Sequence, residues 1–237
     1  MNLIDVTKNF ATDEQCLAYL EAQRWPDGVR CMVCGNDRVS KITRKTKSKN
    51  VRAQIYQCLE PTCKHQFSAT TGTIFSDSHI PLHKWFMAIS ILVDAKKSMS
   101  ANQLREHLGL GSYRTAWYMV HRIRKAMVDE FPTKLSGVVE VDETYIGGKS
   151  FRRHRKMPRP KKDMVIGMRE RGGRVRFFHV PDLKKDTMKT LLDRHVHRYL
   201  SEFEYRFNAR KDADRFTKTL AKMAATPIMP YRTLIAE

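Results

Sequence analysis

The sequence predicts an α/β chain of several small domains: a metal-stapled ribbon, a three-helix segment and a strand-rich region. Three observations predict it. Two cysteine pairs, Cys31/Cys34 and Cys58/Cys63, sit in a stretch with short β-like runs such as "AQIYQC" and "QFSATTGTIF". Apolar residues recur at helical spacing between 79 and 130. Three strand-like runs, "GVVEVDETYI", "MVIGMRE" and "RVRFFHV", follow between 137 and 182.

The 237 residues suffice for one large domain or two to three small ones, and 41% apolar residues support a packed core. Lys and Arg number 44 against 25 Asp and Glu, a net charge of +19. That excess predicts attraction to polyanions: DNA, RNA or an anionic membrane surface. A membrane span is not expected, because the longest apolar run, "WFMAISILV" (85–93), is too short to cross a bilayer. The opening "MNLIDVTKNF" lacks a basic segment followed by an apolar one, so no signal peptide is read. The expected location is the cytoplasm. There, five cysteines are metal ligands or thiols more readily than a disulfide framework.

Residues 1–25 read as a helix with Cys16, Leu17 and Leu20 on its apolar side. Residues 26–76 hold both cysteine pairs. Cys31-Met-Val-Cys34-Gly35 is a metal knuckle: two thiolates grip an ion from a tight turn, and Gly35 supplies the positive φ. Cys58 and Cys63 complete a four-sulfur tetrahedron for Zn²⁺, although four residues separate them where two is commoner. That irregularity leaves His65 as a substitute ligand. Four protein ligands leave no position for water, so the zinc is structural. The basic stretch "KITRKTKSKNVR" (41–52) between the pairs is either a phosphate contact or a solvated loop.

Residues 79–130 read as three helices. Pro81 lies in the opening turn of the first, and Ser100 with Gln103 forms a capping box for the second. "GLG" (109–111) is the turn. In the third helix Ala116, Val120, Ile123 and Met127 share one face, while Arg114, Tyr118, Arg122 and Lys125 fall away from it. A Gly turn and a helix with a basic-aromatic outer face suit insertion into the DNA major groove. A helical bundle with a solvated basic face fits the same pattern.

The first strand-like run ends in Asp142 and Glu143, and "RGGR" joins the other two as a hairpin turn. By strand alternation Val139, Val141 and Glu143 face one way, Glu140 and Asp142 the other. A carboxylate at the end of a buried strand is placed to hold a divalent metal for phosphodiester chemistry. It can equally cap a turn or pair with a lysine.

"VEVDETYIGGK", preceded by "CMVCG…YQCLEPTCKHQFSATTGTIF" and followed by "VIGMRERGGRVRFFHVPDLKKDT", resembles insertion-sequence transposases of the zinc-ribbon, ISXO-like kind. Their catalytic domain is of the DDE, ribonuclease H-like type. The resemblance covers nearly the whole chain in order, and "HRYLSEFEYRFNARKDADRF" (197–216) resembles the closing helix. It implies binding to the terminal repeats of a mobile element, DNA cutting and joining with Mg²⁺ or Mn²⁺, and action as paired subunits on nucleoid DNA. It makes Asp142 the first metal-holding acid. The strand expected to carry the second acid, and the helix carrying the third, have no counterpart: "RHV" runs directly into "HRYLSEFEYRF" at Val196-His197.

The domain at 137–222 is therefore expected to be a truncated ribonuclease H-like one, followed by an irregular tail at 223–237 with two prolines. Asp163, Asp182, Asp186, Asp193, Glu202 and Glu204 are the other acids nearby, and none follows a strand beside the first. The most basic run, "KSFRRHRKMPRPKK" (149–162), lies between the first two strands. Its Arg152, Arg153, Arg155 and Lys156 are candidate DNA contacts, and a solvated hairpin loop is the plain reading. The expected function is a transposase by descent with DNA binding kept and strand transfer lost. An inert DNA-binding repressor or inhibitor of transposition is the rival from another class.

Overall fold

The computed structural model describes residues 1–42, 55–128, 135–146, 163–180 and 196–236. The elements in chain order are α1 (Leu3–Asn9), α2 (Asp13–Arg24), β1 (Val39–Ile42), β2 (Ile55–Cys58) and β3 (Gln66–Phe67). Then come α3 (Leu82–Asp94), α4 (Ala101–Leu108), α5 (Tyr113–Ala126), β4 (Val139–Ile146), β5 (Asp163–Glu170) and β6 (Val175–Val180). The last are α6 (Val196–Ala209), α7 (Arg215–Ala225) and α8 (Tyr231–Ala236). They form two compact units: Met1–Ala126 with Ala213–Leu234, and Met127–Asp212 with Ile235–Glu237. No helix among the described residues is long and apolar enough to cross a membrane.

Local chemistry sets the helix starts of the first unit. Asn2 with Asp5, and Thr12 with Gln15, are reciprocal capping boxes that satisfy the first orphan N–H groups of α1 and α2. Ser100 accepts from the Gln103 N–H at the start of α4, which is half of the expected box. Gly109 takes φ 58° after α4, and the Leu110 N–H reaches back to Arg105 O at 3.0 Å. This left-handed cap turns the chain into α5, where the Ser112 hydroxyl accepts from the Thr115 N–H at 3.1 Å.

The core of this unit is aromatic. Phe10 meets Phe86 edge-on at 4.8 Å, and Phe216 of α7 lies 6.3 Å from Phe10 and 6.5 Å from Phe86. Leu20, Ile89, Leu92, Leu104, Met119, Val120, Leu220 and Met223 are fully buried. Arg215 fastens α7 to the end of α3 through Asp94 at 2.6 Å. The ribbon is an antiparallel sheet in the order β1-β2-β3, with Tyr56 opposite Phe67. Trp25 closes it edge-on at 6.0 Å from Tyr56 and 5.7 Å from Phe67.

The domain limits differ from the expected ones. The helical pattern read at 197–222 breaks between Ala209 and Arg215, and α7 packs on α2 and α3 in the first unit. The tail expected to be irregular carries α8, whose Leu234 is fully buried and whose Leu234 N–H bonds to Pro230 O. Pro230 stops nothing there; it precedes the helix, where its fixed φ suits the start.

The second unit holds an antiparallel meander in the order β4-β5-β6. The hairpin after β5 closes through Glu170 N to Arg174 O at 2.9 Å, with Gly172 at φ 76°. Asp142 pairs with Gly167, and Gly167 with Phe177, so all three share one face. Helix α6 packs on that face: Phe203 meets Phe177 at 5.4 Å, and Arg169 lies over Phe207 at 5.7 Å. A Cβ at Gly167 would lie 3.2 Å from the Phe177 ring, so a side chain there would press on that ring.

Candidate functional site

The four sulfurs come together. Sγ atoms of Cys31, Cys34, Cys58 and Cys63 all lie within 4.8 Å of one another. Cys31 and Cys63 are 3.7 Å apart, Cys34 and Cys58 3.5 Å. A tetrahedron with zinc–sulfur bonds of about 2.3 Å has edges of about 3.8 Å. The arrangement therefore fits structural Zn²⁺.

The unequal spacing of the two pairs has a simple resolution. In the first knuckle the Gly35 N–H bonds to Cys31 O at 2.9 Å, with Gly35 at φ 72°. In the second, the Lys64 N–H bonds to Glu60 O at 3.1 Å, with Lys64 at φ 45°. The two turns are alike, with Glu60 standing where Cys31 stands. Cys58 sits two residues earlier at the end of β2, and strand alternation returns it to the same side. The Glu60 carboxylate then accepts from Asn36 Nδ2 at 3.0 Å and ties the two turns together.

Backbone N–H groups point at the sulfurs. Those of Cys34 and Val33 hold the Cys31 thiol down to about 7, the Cys34 contribution being the larger. Burial pushes Cys58 up to about 12, against a bond from the Glu60 N–H. His65 is not in the cluster; its ring stacks on Phe67 at 6.1 Å. Cys16 is buried between helices, where loss of water raises its thiol to about 12.

Lys64 holds a left-handed conformation that costs a side-chain-bearing residue roughly 1–2 kcal/mol. Lys64→Gly is expected to stabilise the ribbon, by about 0.5–1 kcal/mol after the entropy of glycine is counted. Urea unfolding of the zinc-loaded chain measures it. A loss of stability would show that the Lys64 side chain makes contacts that outweigh its strain.

The helical segment places the proposed DNA residues unevenly. Ala116, Val120, Ile123 and Met127 form the buried face, as their spacing indicates. Arg114 is exposed and stacks over Tyr231 at 4.4 Å. Tyr118 is half-buried and donates to Met229 O at 3.0 Å. Lys125 is half-buried. Arg122 corrects the expectation of an outward-facing cation, being only 1% exposed. It donates to Ser76 O at 3.0 Å and lies over the rings of Tyr118 and Trp85, at 5.0 and 5.6 Å. Its neighbour Arg124 is equally buried and donates to Ser98 Oγ and Met99 O. The segments at 73–76 and 226–231 cover a flank of α5 that helical periodicity leaves open. Arg152, Arg153, Arg155 and Lys156 lie outside the described residues, as does most of the basic stretch at 41–52.

Asp142 lies on β4, but β4 is not the buried strand its sequence suggests. Val141 is 61% exposed and Tyr145 56%. The strand pairs only with β5 among the described residues, and its other edge has no described neighbour. Asp142 Oδ1 accepts from the Glu143 N–H at 3.0 Å. Glu140 pairs with Arg171 at 3.0 Å on the surface. Glu202 is fully buried and pairs with Arg206; Glu204 accepts from Arg176 and from the Phe177 N–H. Both acids serve α6 and its seat on the sheet. Asp182, Asp186 and Asp193 lie outside the described residues. Among the described residues, the four cysteines are the sole group of three or more His, Cys, Asp or Glu side chains close enough to share an ion.

Comparison with known proteins finds likeness in two segments. A transposase zinc-ribbon domain matches residues 11–66, and an ISXO2-like transposase domain matches residues 134–197. Residues 11–66, which hold the four-cysteine cluster, are thus similar to a transposase zinc ribbon, and residues 134–197 to a DDE-type transposase segment. It is 30% identical over 165 residues to the uncharacterized protein in transposable element ISH50 of Halobacterium salinarum. That alignment takes in 70% of this chain and 52% of the relative, so the chain spans about half the relative's length. The matches and this relative make the chain similar, over these segments, to insertion-sequence transposases of the ISXO2-like kind. No solved structure matches the chain.

Proposed function

We propose that the chain is the DNA-recognising part of an insertion-sequence transposase whose strand-transfer site is incomplete. It binds the terminal repeats of its element on nucleoid DNA in the cytoplasm, as paired subunits, and does not cut them. The observation that carries this reading is Asp142. It stands on an exposed strand and accepts from the adjacent Glu143 N–H, and no group of carboxylates surrounds it among the described residues. One carboxylate does not hold the divalent metals that phosphodiester cleavage requires.

Two further observations support the reading. An antiparallel meander with the acid on its first strand, covered by a helix, is how a ribonuclease H-like sheet begins. The ISXO2-like match ends at residue 197, at the junction where "RHV" meets "HRYLSEFEYRF". A net charge of +19 and the exposed Arg114 at the start of α5 support the DNA-binding half.

The test uses zinc-loaded protein with labelled DNA flanking the gene, in Mg²⁺ or Mn²⁺, scoring binding and cleavage together. Binding without cleavage is expected, with Asp142→Ala indistinguishable from the parent. Metal-dependent cleavage that Asp142→Ala abolishes would refute the incomplete site. Absence of binding to any flanking duplex would remove the recognition role as well.

A further inference from the structure

The segment Thr226–Leu234 lies outside both matched domains, which cover residues 11–66 and 134–197. It returns to the first unit through several independent contacts. Pro227 bridges Thr73, and the Ile228 N–H bonds to Gly72 O at 3.1 Å. Met229 O accepts from the Tyr118 hydroxyl at 3.0 Å, and Leu234 is fully buried. The ring of Tyr231 then stands edge-on to Tyr118 at 5.7 Å and to Trp117 at 6.1 Å. The Arg114 guanidinium lies over that ring at 4.4 Å. Arg114 stays exposed in spite of the contact, as do Arg232 and, at 51%, Tyr113.

We propose that α8 is part of the nucleic-acid interface: Tyr231 holds Arg114 in place for a DNA phosphate, and Arg232 supplies a second phosphate contact. Duplex DNA is then gripped by a surface shared between α5 and the α8 segment. This rests on the DNA-binding reading above and assigns it residues that neither matched domain contains.

The chemistry favours a contact over a cover. A free Arg side chain loses rotamer entropy when it is fixed. Stacking on Tyr231 meets part of that cost before DNA arrives. A guanidinium lying flat on a ring keeps its in-plane N–H donors at the edge, where a phosphate oxygen can accept them. A segment whose role is to mask α5 would bury Arg114, and this one leaves it in solvent. Arg232 adds a further exposed cation one residue from the stacked ring.

The experiment uses the full zinc-loaded chain and a short labelled random-sequence duplex, with affinity measured across a salt series. Arg114→Ala and Arg232→Ala are each expected to weaken binding several-fold. Each should also reduce the slope of log affinity against log salt by about 0.9, the signature of one lost phosphate contact. Tyr231→Ala should weaken binding as Arg114→Ala does, and Tyr231→Phe, which keeps the ring, should restore it. If the parent chain does not bind duplex DNA, the DNA-binding reading and this inference fall together. If the parent binds and Arg114→Ala weakens it, while Arg232→Ala leaves affinity and slope unchanged, only the inference falls. Tighter binding by Arg232→Ala or Tyr231→Ala would make the segment a mask and overturn it. Arg232 is exposed, so its replacement tests the proposal even if Tyr231→Ala disturbs the fold.

Discussion

Cys58→Ser is expected to abolish zinc binding and unfold the ribbon, whereas His65→Ala is expected to keep one zinc per chain. Structural zinc sites contribute roughly 10–16 kcal/mol of binding free energy at neutral pH, and a small ribbon has little else to replace it. Its core is Cys31, Tyr56, Cys58 and Phe67, with Trp25, Val29, Val39 and Cys63 around them, so three of these eight residues are ligands themselves. Chelation should have the same effect as Cys58→Ser. Zinc content, together with the near-ultraviolet signal of Trp25 packed on Tyr56 and Phe67, reports both. Retention of stoichiometric zinc by Cys58→Ser, or its loss in His65→Ala, would move the fourth ligand to His65. The pH dependence has a definite sign. Burial raises the Cys58 thiol to about 12, so near neutrality it is protonated until a metal displaces the proton. Zinc binding therefore releases protons, and affinity falls as pH falls.

Arg122→Ala is expected to destabilise the first unit by about 2–4 kcal/mol. The side chain is 1% exposed, donates to Ser76 O at 3.0 Å and fills the space between Trp85 and Tyr118. Truncation leaves a buried carbonyl without its donor and a cavity beside two large rings. Urea unfolding of the zinc-loaded chain measures the loss. Under conditions where the variant remains folded, its DNA affinity should match the parent's, because the guanidinium does not reach solvent. Parent-like stability with weakened DNA binding would restore Arg122 to the outer face.

The cysteine pairs, the Ser100 cap of α4, the buried stripe of α5 and the hairpin after β5 were legible in the sequence, because each depends on a few neighbouring residues; the single helix expected over 1–25 is instead two, α1 and α2, each started by its own capping box. Most of the rest that was not legible depends on distant residues. Helical periodicity assigns one buried face to α5, yet His121, Arg122, Ile123 and Arg124 are buried in succession. The partners of the two arginines lie far away in sequence: Ser76 O for Arg122, and Ser98 Oγ and Met99 O for Arg124. Arginine is ordinarily a surface residue, so composition pointed the wrong way. The α8 helix has a readable signal, a proline directly before "YRTLIA", but a proline marks the start of a helix and the end of ordered chain equally well. The exposure of β4 follows from strand pairing: alternation of Val with Glu and Asp describes the strand and not what lies beside it.

The return of α7 and α8 to the first unit makes the second unit an insertion within a discontinuous one. On the ribosome, residues 1–126 emerge well before Phe216, Leu220 and Met223, which complete the core around Phe10 and Phe86. Until then that aromatic surface stays open, and the nascent chain holds it in waiting for chaperones or for its own late residues. A message broken or terminated within the second unit gives a product whose first unit cannot close. The order of translation thus acts as a filter: only chains read through to α7 and α8 carry a finished first unit.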